Sequence, residues 1–200
     1  MPQQLPLFEE PKREQPDDPL FFALQPDAEA TSQIVQLVDS FRQSHGLTGV
    51  LRPLHVTLCD LISRETIEKT VDVASRVASS VSATPFRIAL NRVMRFGGRK
   101  KSSEDKSPFA LVGDDGIAGL AQFRQRLNIA LRHADLAKLS AGFTPHLTLL
   151  YDNGLPDDQD IQPIAWTAQE FVLVRSHVGQ TRHEILGRWP LRAVCDELSR

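Results

Sequence analysis

A repeated order of apolar strand, amphipathic helix and apolar strand is the feature that most constrains the fold of this chain of 200 residues. The first copy opens with Phe-Ala-Leu at 22–24, and the second opens with the same three residues at 109–111. Each copy continues with apolar residues at helical spacing and ends in a second strand. Two copies of one supersecondary unit predict two lobes related by an approximate two-fold axis.

The helix of each copy is indicated by a capping residue and an apolar stripe. Asp27 can cap the first helix, Gly46 and Gly49 end that segment, and an Asp114–Asp115 pair can cap the helix of the second copy. A further helix is predicted from about Ser63, and a strand over 84–93. Residues 161–191 predict one short and two longer strands, with a turn near Gly179. The apolar stripes of the two repeated helices are Ile34, Leu37, Val38 and Phe41, and Ile117, Leu120, Phe123, Leu127 and Leu131.

Both copies end in the same short motif, a histidine followed two residues later by a threonine. The segments read PLHVTL from Pro53 and PHLTL from Pro145. Side chains alternate along a strand, so His55 and Thr57 share one face, while the apolar residues between and beside them point into a core. His146 and Thr148 do the same in the second copy. A two-fold axis between the copies would aim all four polar side chains into one cleft.

Two imidazoles and two hydroxyls form a set of groups suited to cleaving a phosphodiester. One group must take a proton from the attacking oxygen, and another must give one to the leaving oxygen. Imidazole can do either at neutral pH. Threonine hydroxyls can donate to the charge that develops on the phosphate oxygens. The motif pair therefore predicts a metal-independent phosphoesterase, and a strained 2′,3′-cyclic phosphate is a plausible target because ring strain lessens the need for a metal.

Two other interpretations of the motifs stay open. Histidine and threonine also occur as ordinary strand residues, and threonine is a good strand former. A zinc site is the other alternative, but two histidines need one or two further ligands. Asp60 and Asp152 are near the motifs in sequence, yet no cluster of His, Cys or carboxylates accompanies either motif. We expect no metal and no cofactor.

The net charge of −2 argues against a tight, sequence-nonspecific duplex binder, because such proteins are strongly basic. Any contact with nucleic acid would then be local. The one basic cluster lies in a polar loop that could steer RNA towards the cleft or simply be solvated. It contains Arg95, Phe96, Arg99, Lys100 and Lys101.

Domain boundaries and location follow from composition. Residues 1–18 are rich in Pro, Gln and acidic residues and predict a disordered tail. A single bilobal domain is expected over 19–192, followed by a C-terminal tail over 193–200. Cys59 and Cys195 show no paired spacing, and no apolar run reaches the ~20 residues that cross a bilayer. A cytoplasmic protein with reduced thiols and no membrane contact is expected, and we expect a monomer.

At these residues the sequence resembles the 2H phosphoesterase superfamily, and within it the bacterial RNA 2′,3′-cyclic phosphodiesterases, also called 2′-5′ RNA ligases. The likeness runs from Leu20 to about Leu191 and includes both motifs, the opening FALQPD from Phe22 and the late LGRWPL from Leu186. The resemblance implies an α+β, bilobal, pseudo-two-fold fold. Two antiparallel sheets flanked by helices would face each other across a central cleft.

The resemblance also implies roles for the motif residues. His55 would be the acid that protonates the departing 3′ oxygen, and His146 the base that activates water, although a pseudo-symmetric site could exchange these roles. Thr57 and Thr148 would hold the phosphate. RNA ends or nucleotide cyclic phosphates would be bound, the product would be a 2′-phosphate, and the reverse direction would join ends by a 2′-5′ linkage.

One departure from the family pattern concerns Tyr151, which occupies a position where the best-known members carry an arginine. Tyrosine can donate to a phosphate or stack on a base, but it supplies no charge. Arg175 and Ser176, at the end of a predicted strand, are further candidates for substrate binding. Two alternatives remain: a phosphodiesterase of a small cyclic nucleotide, and a module that binds RNA ends without turnover.

Overall fold

The computed structural model describes residues 18–62, 66–95, 106–113, 117–137 and 144–192. The predicted tails (apart from Asp18), the Asp114–Asp115 cap and the basic loop from Phe96 to Lys101 lie outside these described residues. The order of elements agrees with the sequence prediction. The elements are β1 (Leu20–Leu24), α1 (Ala28–His45), β2 (Val56–Asp60), α2 (Ile67–Ser80), β3 (Phe86–Arg95), β4 (Ser107–Val112), α3 (Ala118–His133), β5 (His146–Asp152), β6 (Gln159–Ala168), β7 (Glu170–His177) and β8 (Arg182–Pro190).

Helix α1 begins and ends where its sequence signals predict. The Asp27 carboxylate accepts a hydrogen bond from the backbone N–H of Ala30 at 2.8 Å, which satisfies one of the unpaired donors of the first turn. Gly46 ends the helix at φ +67°, a left-handed conformation that glycine adopts without a steric penalty. The buried face of the helix consists of Ala30, Ile34, Val38 and Phe41.

Strand β6 is the element whose length the sequence does not reveal. One short and two longer strands were expected at the end of the chain, but β6, β7 and β8 have 10, 8 and 9 residues. Strand β6 lies at an edge of the sheet, and most of its first half is exposed. It therefore contains polar residues and Pro163, which an edge strand tolerates.

The eight strands form one antiparallel sheet in the order β6-β3-β4-β5-β2-β1-β7-β8. The order is symmetric about its centre: β2 and β5 meet in the middle, and β1 and β4 flank them. Among the described residues, the strand ladder between the two halves consists of one residue pair, Val56 with Leu147. The α+β fold is thus confirmed, and the two expected sheets are the two four-stranded halves of a single sheet.

The helices and the motifs lie on opposite faces of this sheet. A single apolar core contains the buried stripes of α1, α2 and α3 together with Phe22 and Leu24 of β1. The alternate residues of β1, Phe21 and Ala23, belong to a smaller apolar cluster on the other face. Ala23 pairs with Thr57, which places the first motif on that second face.

Candidate active site

The pairing of β2 with β5 brings the two histidine motifs together. Because Val56 pairs with Leu147 in antiparallel register, His55 comes opposite Thr148 and Thr57 comes opposite His146. Residues directly opposite have Cβ atoms about 4.5–5.5 Å apart, and diagonal neighbours about 7–8 Å. The two histidines are diagonal neighbours across this junction. They are therefore near enough to act on one phosphate group.

The two imidazoles are held in the same way. Nδ1 of His55 lies 2.7 Å from the carbonyl oxygen of Pro53, and Nδ1 of His146 lies 3.0 Å from that of Thr144. A carbonyl oxygen only accepts, so each Nδ1 is the donor. The neutral rings then carry their lone pairs on Nε2, which is the nitrogen suited to exchange a proton with a substrate.

The surroundings of His55 favour its neutral form. Burial lowers the pKa of His55 below its usual value, and the hydrogen bond to the Pro53 carbonyl opposes this effect. The positive charges of His146 and Arg52 lower it further, and Asp60 raises it. A negatively charged phosphate in the cleft would counter the effect of the two positive charges and raise this pKa again.

The two threonines flank the histidines with available hydroxyl groups. Thr57 and Thr148 are both half-buried, whereas their strand neighbours Leu58 and Leu147 are inaccessible to solvent. In the part of the chain that the structure describes, neither threonine hydroxyl has a hydrogen-bond partner. Each can therefore donate to an anion bound between the motifs.

A cluster of rings surrounds His55. The ring of His183, at the start of β8, packs edge-to-face against that of His55, with the two ring centroids 4.9 Å apart. The centroid of the Phe21 ring lies 5.1 Å from that of His55 and 5.4 Å from that of His183. The pKa of His183 is lowered to about 4, first by burial and then by the positive charges of His55, Arg52 and His177. His183 is therefore a neutral neighbour at pH 7.

Arg52 brings a permanent positive charge to the same side of the site. Its guanidinium carbon lies 5.6 Å from the centre of the Tyr151 ring, which is within cation–π distance. Nη1 donates to the hydroxyl of Thr181 at 2.9 Å, and the backbone N–H of Arg52 donates to the carbonyl of Leu149 in β5 at 2.8 Å. Arg52 thus connects the loop before the first motif to the strand of the second.

Asp152 fixes this loop against the end of β5. Its carboxylate accepts the backbone N–H groups of Thr48 and Gly49 at 2.8 and 2.9 Å, and also those of Asn153 and Gly154. Burial raises the pKa of Asp152, but these four backbone hydrogen bonds outweigh burial and hold it at about 2. The carboxylate therefore anchors this loop to the end of β5.

The remaining predicted substrate-binding residues contact other parts of the protein. The N–H of Arg95 bonds to Asp158 and its guanidinium to the Leu155 carbonyl, in the segment before β6. Arg175 pairs with Asp18 at 3.0 Å. Ser176 pairs across the ladder with His183. Phe96 lies outside the described residues.

No group of three or more His, Cys, Asp or Glu side chains in the described ranges could hold a metal ion. None of the helices described here has both the length and the apolar character needed to span a bilayer.

Comparison with known sequences assigns the family. A profile of the 2′-5′ RNA ligase superfamily matches residues 26–180, which is more than half of the chain. The chain belongs to this superfamily, and its resemblance to the 2H phosphoesterases is confirmed. No curated protein matches the chain significantly.

Solved structures share the fold over most of the chain. A phosphoesterase gives a TM-score of 0.67 at 23% identity, covering 88% of this chain and 99% of that one. LigT of E. coli gives 0.64 at 23% identity, and TT0787 of Thermus thermophilus gives 0.66 at 20%, each with the same coverage. At these identities the likeness shows the fold alone.

The residues that sequence reasoning missed are Arg52, Phe21 and His183. The β7–β8 hairpin brings His183 against His55. Arg52 is only three residues before His55, and this proximity was the available signal. Phe21 and His183 carry no motif, so only tertiary structure could place them.

Proposed function

We propose that this protein hydrolyses RNA 2′,3′-cyclic phosphate ends to 2′-phosphates by paired histidine catalysis without a metal. The observation that carries the proposal is the single junction pair Val56–Leu147, which sets each histidine opposite the threonine of the other motif. Both rings present Nε2 as the proton-exchanging nitrogen, because backbone carbonyls hold both Nδ1 atoms.

In the proposed mechanism, His146 takes a proton from water, which attacks phosphorus in line with the bond to the 3′ oxygen. His55 gives its proton to that oxygen as the bond breaks, and the 2′-phosphate remains. Thr57 and Thr148 donate to the non-bridging oxygens. With a 5′-hydroxyl in place of water, the same attack on the cyclic phosphate would join the two ends by a 2′-5′ linkage, and the 3′ oxygen would again leave as a hydroxyl.

The roles of the histidines need a protonated His55 in the complex, although its pKa is lowered in the substrate-free protein. Negative charge on the bound phosphate supports the acid role by raising that pKa. A comparison of two substrates tests the assignment. His55→Ala should lose far less activity on bis(4-nitrophenyl) phosphate, whose leaving group needs no proton, than on a cyclic phosphate. If instead His146→Ala is the variant that loses far less activity on bis(4-nitrophenyl) phosphate than on the cyclic phosphate, the acid and base roles are exchanged.

The activity itself is tested with a chelator present throughout. Adenosine 2′,3′-cyclic phosphate and a short RNA ending in a cyclic phosphate are each incubated with the protein, and the isomer of the product is identified. His55→Ala and His146→Ala should each abolish turnover, whereas His133→Gln, an exposed histidine at the end of α3, should not. Full activity in either single motif mutant contradicts the two-histidine mechanism.

The same experiment separates the two alternatives. Turnover of the nucleotide but not of the RNA would indicate a phosphodiesterase of small cyclic nucleotides. LigT of E. coli has been crystallised with 3′-AMP and with ATP, so small nucleotides are bound within this fold. Binding of both substrates without turnover would indicate a module that captures RNA ends.

A further inference from the structure

The two motifs supply no permanent positive charge, and the residue that follows the second motif is the neutral Tyr151. The phosphate of a diester carries a full negative charge, and more charge gathers on its oxygens as the bond to the leaving group breaks. Neutral hydroxyl donors such as Thr57 and Thr148 stabilise this charge less than a cation does. The site therefore needs a cation from another part of the chain.

Arg52 is the cation that the fold supplies. Its cation–π contact with Tyr151 and its bond to Thr181 orient the guanidinium. The bond between the Arg52 N–H and Leu149 ties its backbone to β5, one residue beyond Thr148. The charge also acts on His55, whose pKa it lowers. Arg52 is thus close to both motifs.

The guanidinium is also unneutralised. In the described ranges no carboxylate lies within salt-bridge distance of it, whereas Arg42, Arg92, Arg175 and Arg188 each have an acidic partner. A guanidinium has five N–H donors, and stacking on an aromatic face occupies none of them. After the bond to Thr181, donors remain for a second, anionic partner.

We propose that Arg52 binds the phosphate on which His55 and His146 act, and that Tyr151 positions it. The inference rests on the proposed function, because it names the group that holds the substrate of that site. The charge is delivered from the loop before the first motif to the phosphate between the two motifs. In this proposal Tyr151 holds Arg52 in position and does not itself bind the phosphate.

The first test measures binding alone. Inorganic phosphate is titrated into the protein while the ring signals of the histidines are followed by NMR. Arg52→Met should weaken binding by about tenfold or more, and Arg52→Lys, which keeps a charge but loses the planar fork, should fall between. Arg126→Met, which removes an exposed arginine of α3 on the opposite face of the sheet, is the matched control and should bind as the wild type does. Unchanged binding by Arg52→Met, or no binding at the histidines of the wild type, overturns the assignment.

The second test follows the ionisation of His55. Arg52→Met should raise its pKa, because a neighbouring positive charge is removed, and Arg52→Lys should raise it less. Loss of packing alone would lower thermal stability without this ordered shift. An unchanged pKa in Arg52→Met contradicts the placement of the charge beside the catalytic pair.

The third test concerns Tyr151. Tyr151→Leu should weaken phosphate binding in the wild-type background and have little further effect in Arg52→Met, while Tyr151→Phe should bind nearly normally because the ring face remains. Additive losses in the double mutant would show that Tyr151 acts independently of Arg52. Phosphate binding that depends on Arg52 in a protein without turnover would overturn the proposed function and leave this assignment standing.

Discussion

At the scale of single residues, the two motifs are alike but their environments differ. Both imidazoles donate from Nδ1 to a carbonyl two residues earlier in the chain. His55 also has the rings of Phe21 and His183 and the charge of Arg52 beside it. Chemical roles in a two-histidine site are set by such neighbours, because each changes the cost of protonation.

The hydroxyls of the motif threonines should be needed for catalysis and not for folding. Thr57→Val and Thr148→Val keep the side-chain shape on half-buried positions but remove the donor. We expect each to lower kcat on the cyclic phosphate by about a hundredfold, as loss of one transition-state donor does. Serine at either position should retain most of the rate. Thr167→Val, on the exposed side of edge strand β6, is the control, and equal rates in all three valine variants would contradict the role.

His183 should make the protein less stable in acid. Its pKa is about 4 in the folded chain and near 6.5 when unfolded, so only the unfolded chain binds the extra proton between these values. The free energy of unfolding contributed by His183 is therefore complete above about pH 6.5 and is lost as the pH falls to about 4. Urea denaturation at pH 7 and pH 4.5 should show a smaller decrease for His183→Phe than for the wild type. An identical decrease would contradict the shift.

At the scale of elements, loops position the site as much as strands do. The loop from Gly46 to His55 carries Arg52 and the first histidine, and the carboxylate of Asp152 binds its backbone at Thr48 and Gly49. The close approach leaves no room at Gly49, where an added Cβ would lie 2.5 Å from the carbonyl oxygen of Tyr151. Such a fixed loop can hold a charged side chain at one place.

Removal of the Asp152 carboxylate should make this loop more mobile, and it should lower both the stability of the protein and its affinity for phosphate. Asp152→Ala leaves backbone donors without an acceptor, and we expect it to lower the free energy of unfolding by about 2–4 kcal/mol. It should also weaken phosphate binding, because Arg52 loses its fixed position. Urea denaturation and the phosphate titration measure the two effects. Exposed Asp157 offers the control, Asp157→Ala; if that variant loses as much stability, the anchoring role is contradicted.

The sequence predicted the elements well and their lengths less well. A capping residue and an apolar stripe placed α1, and an apolar stripe placed α3, because both helices bury one face. Strand β6 was less visible because an edge strand exposes much of its surface and keeps no regular alternation. The contacts of Arg52 and His183 depend on the β7–β8 hairpin reaching the first motif. No local pattern encodes a contact between residues 129 positions apart, such as Arg52 and Thr181.

At the scale of the whole molecule, the fold makes the site at the junction of two similar halves. The repeat in the sequence predicted this symmetry, since two strand–helix–strand units related by a two-fold axis place their last strands together. What the repeat could not predict is that the halves join into one sheet through a single pair. That pair sets the spacing of the two histidines.

The junction should therefore matter more for catalysis than for stability. Leu147→Ala removes a fully buried side chain at the junction, and Leu127→Ala removes an equally buried one from α3. Each should lower the free energy of unfolding by about 2–5 kcal/mol. Only Leu147→Ala should also lower kcat strongly, because a shift at the junction moves one histidine relative to the other. Equal kcat in the two variants, measured where both are folded, would contradict this expectation.

The half-turn symmetry of the strands has a consequence for the orientation of a bound chain. A phosphate approaching the centre would meet the same histidine and threonine whether its nucleoside entered from one side or the other. This symmetry is broken beside His55, where Phe21, Arg52 and His183 lie. The orientation of a bound nucleotide would accordingly be decided by the half of the sheet that contains His55.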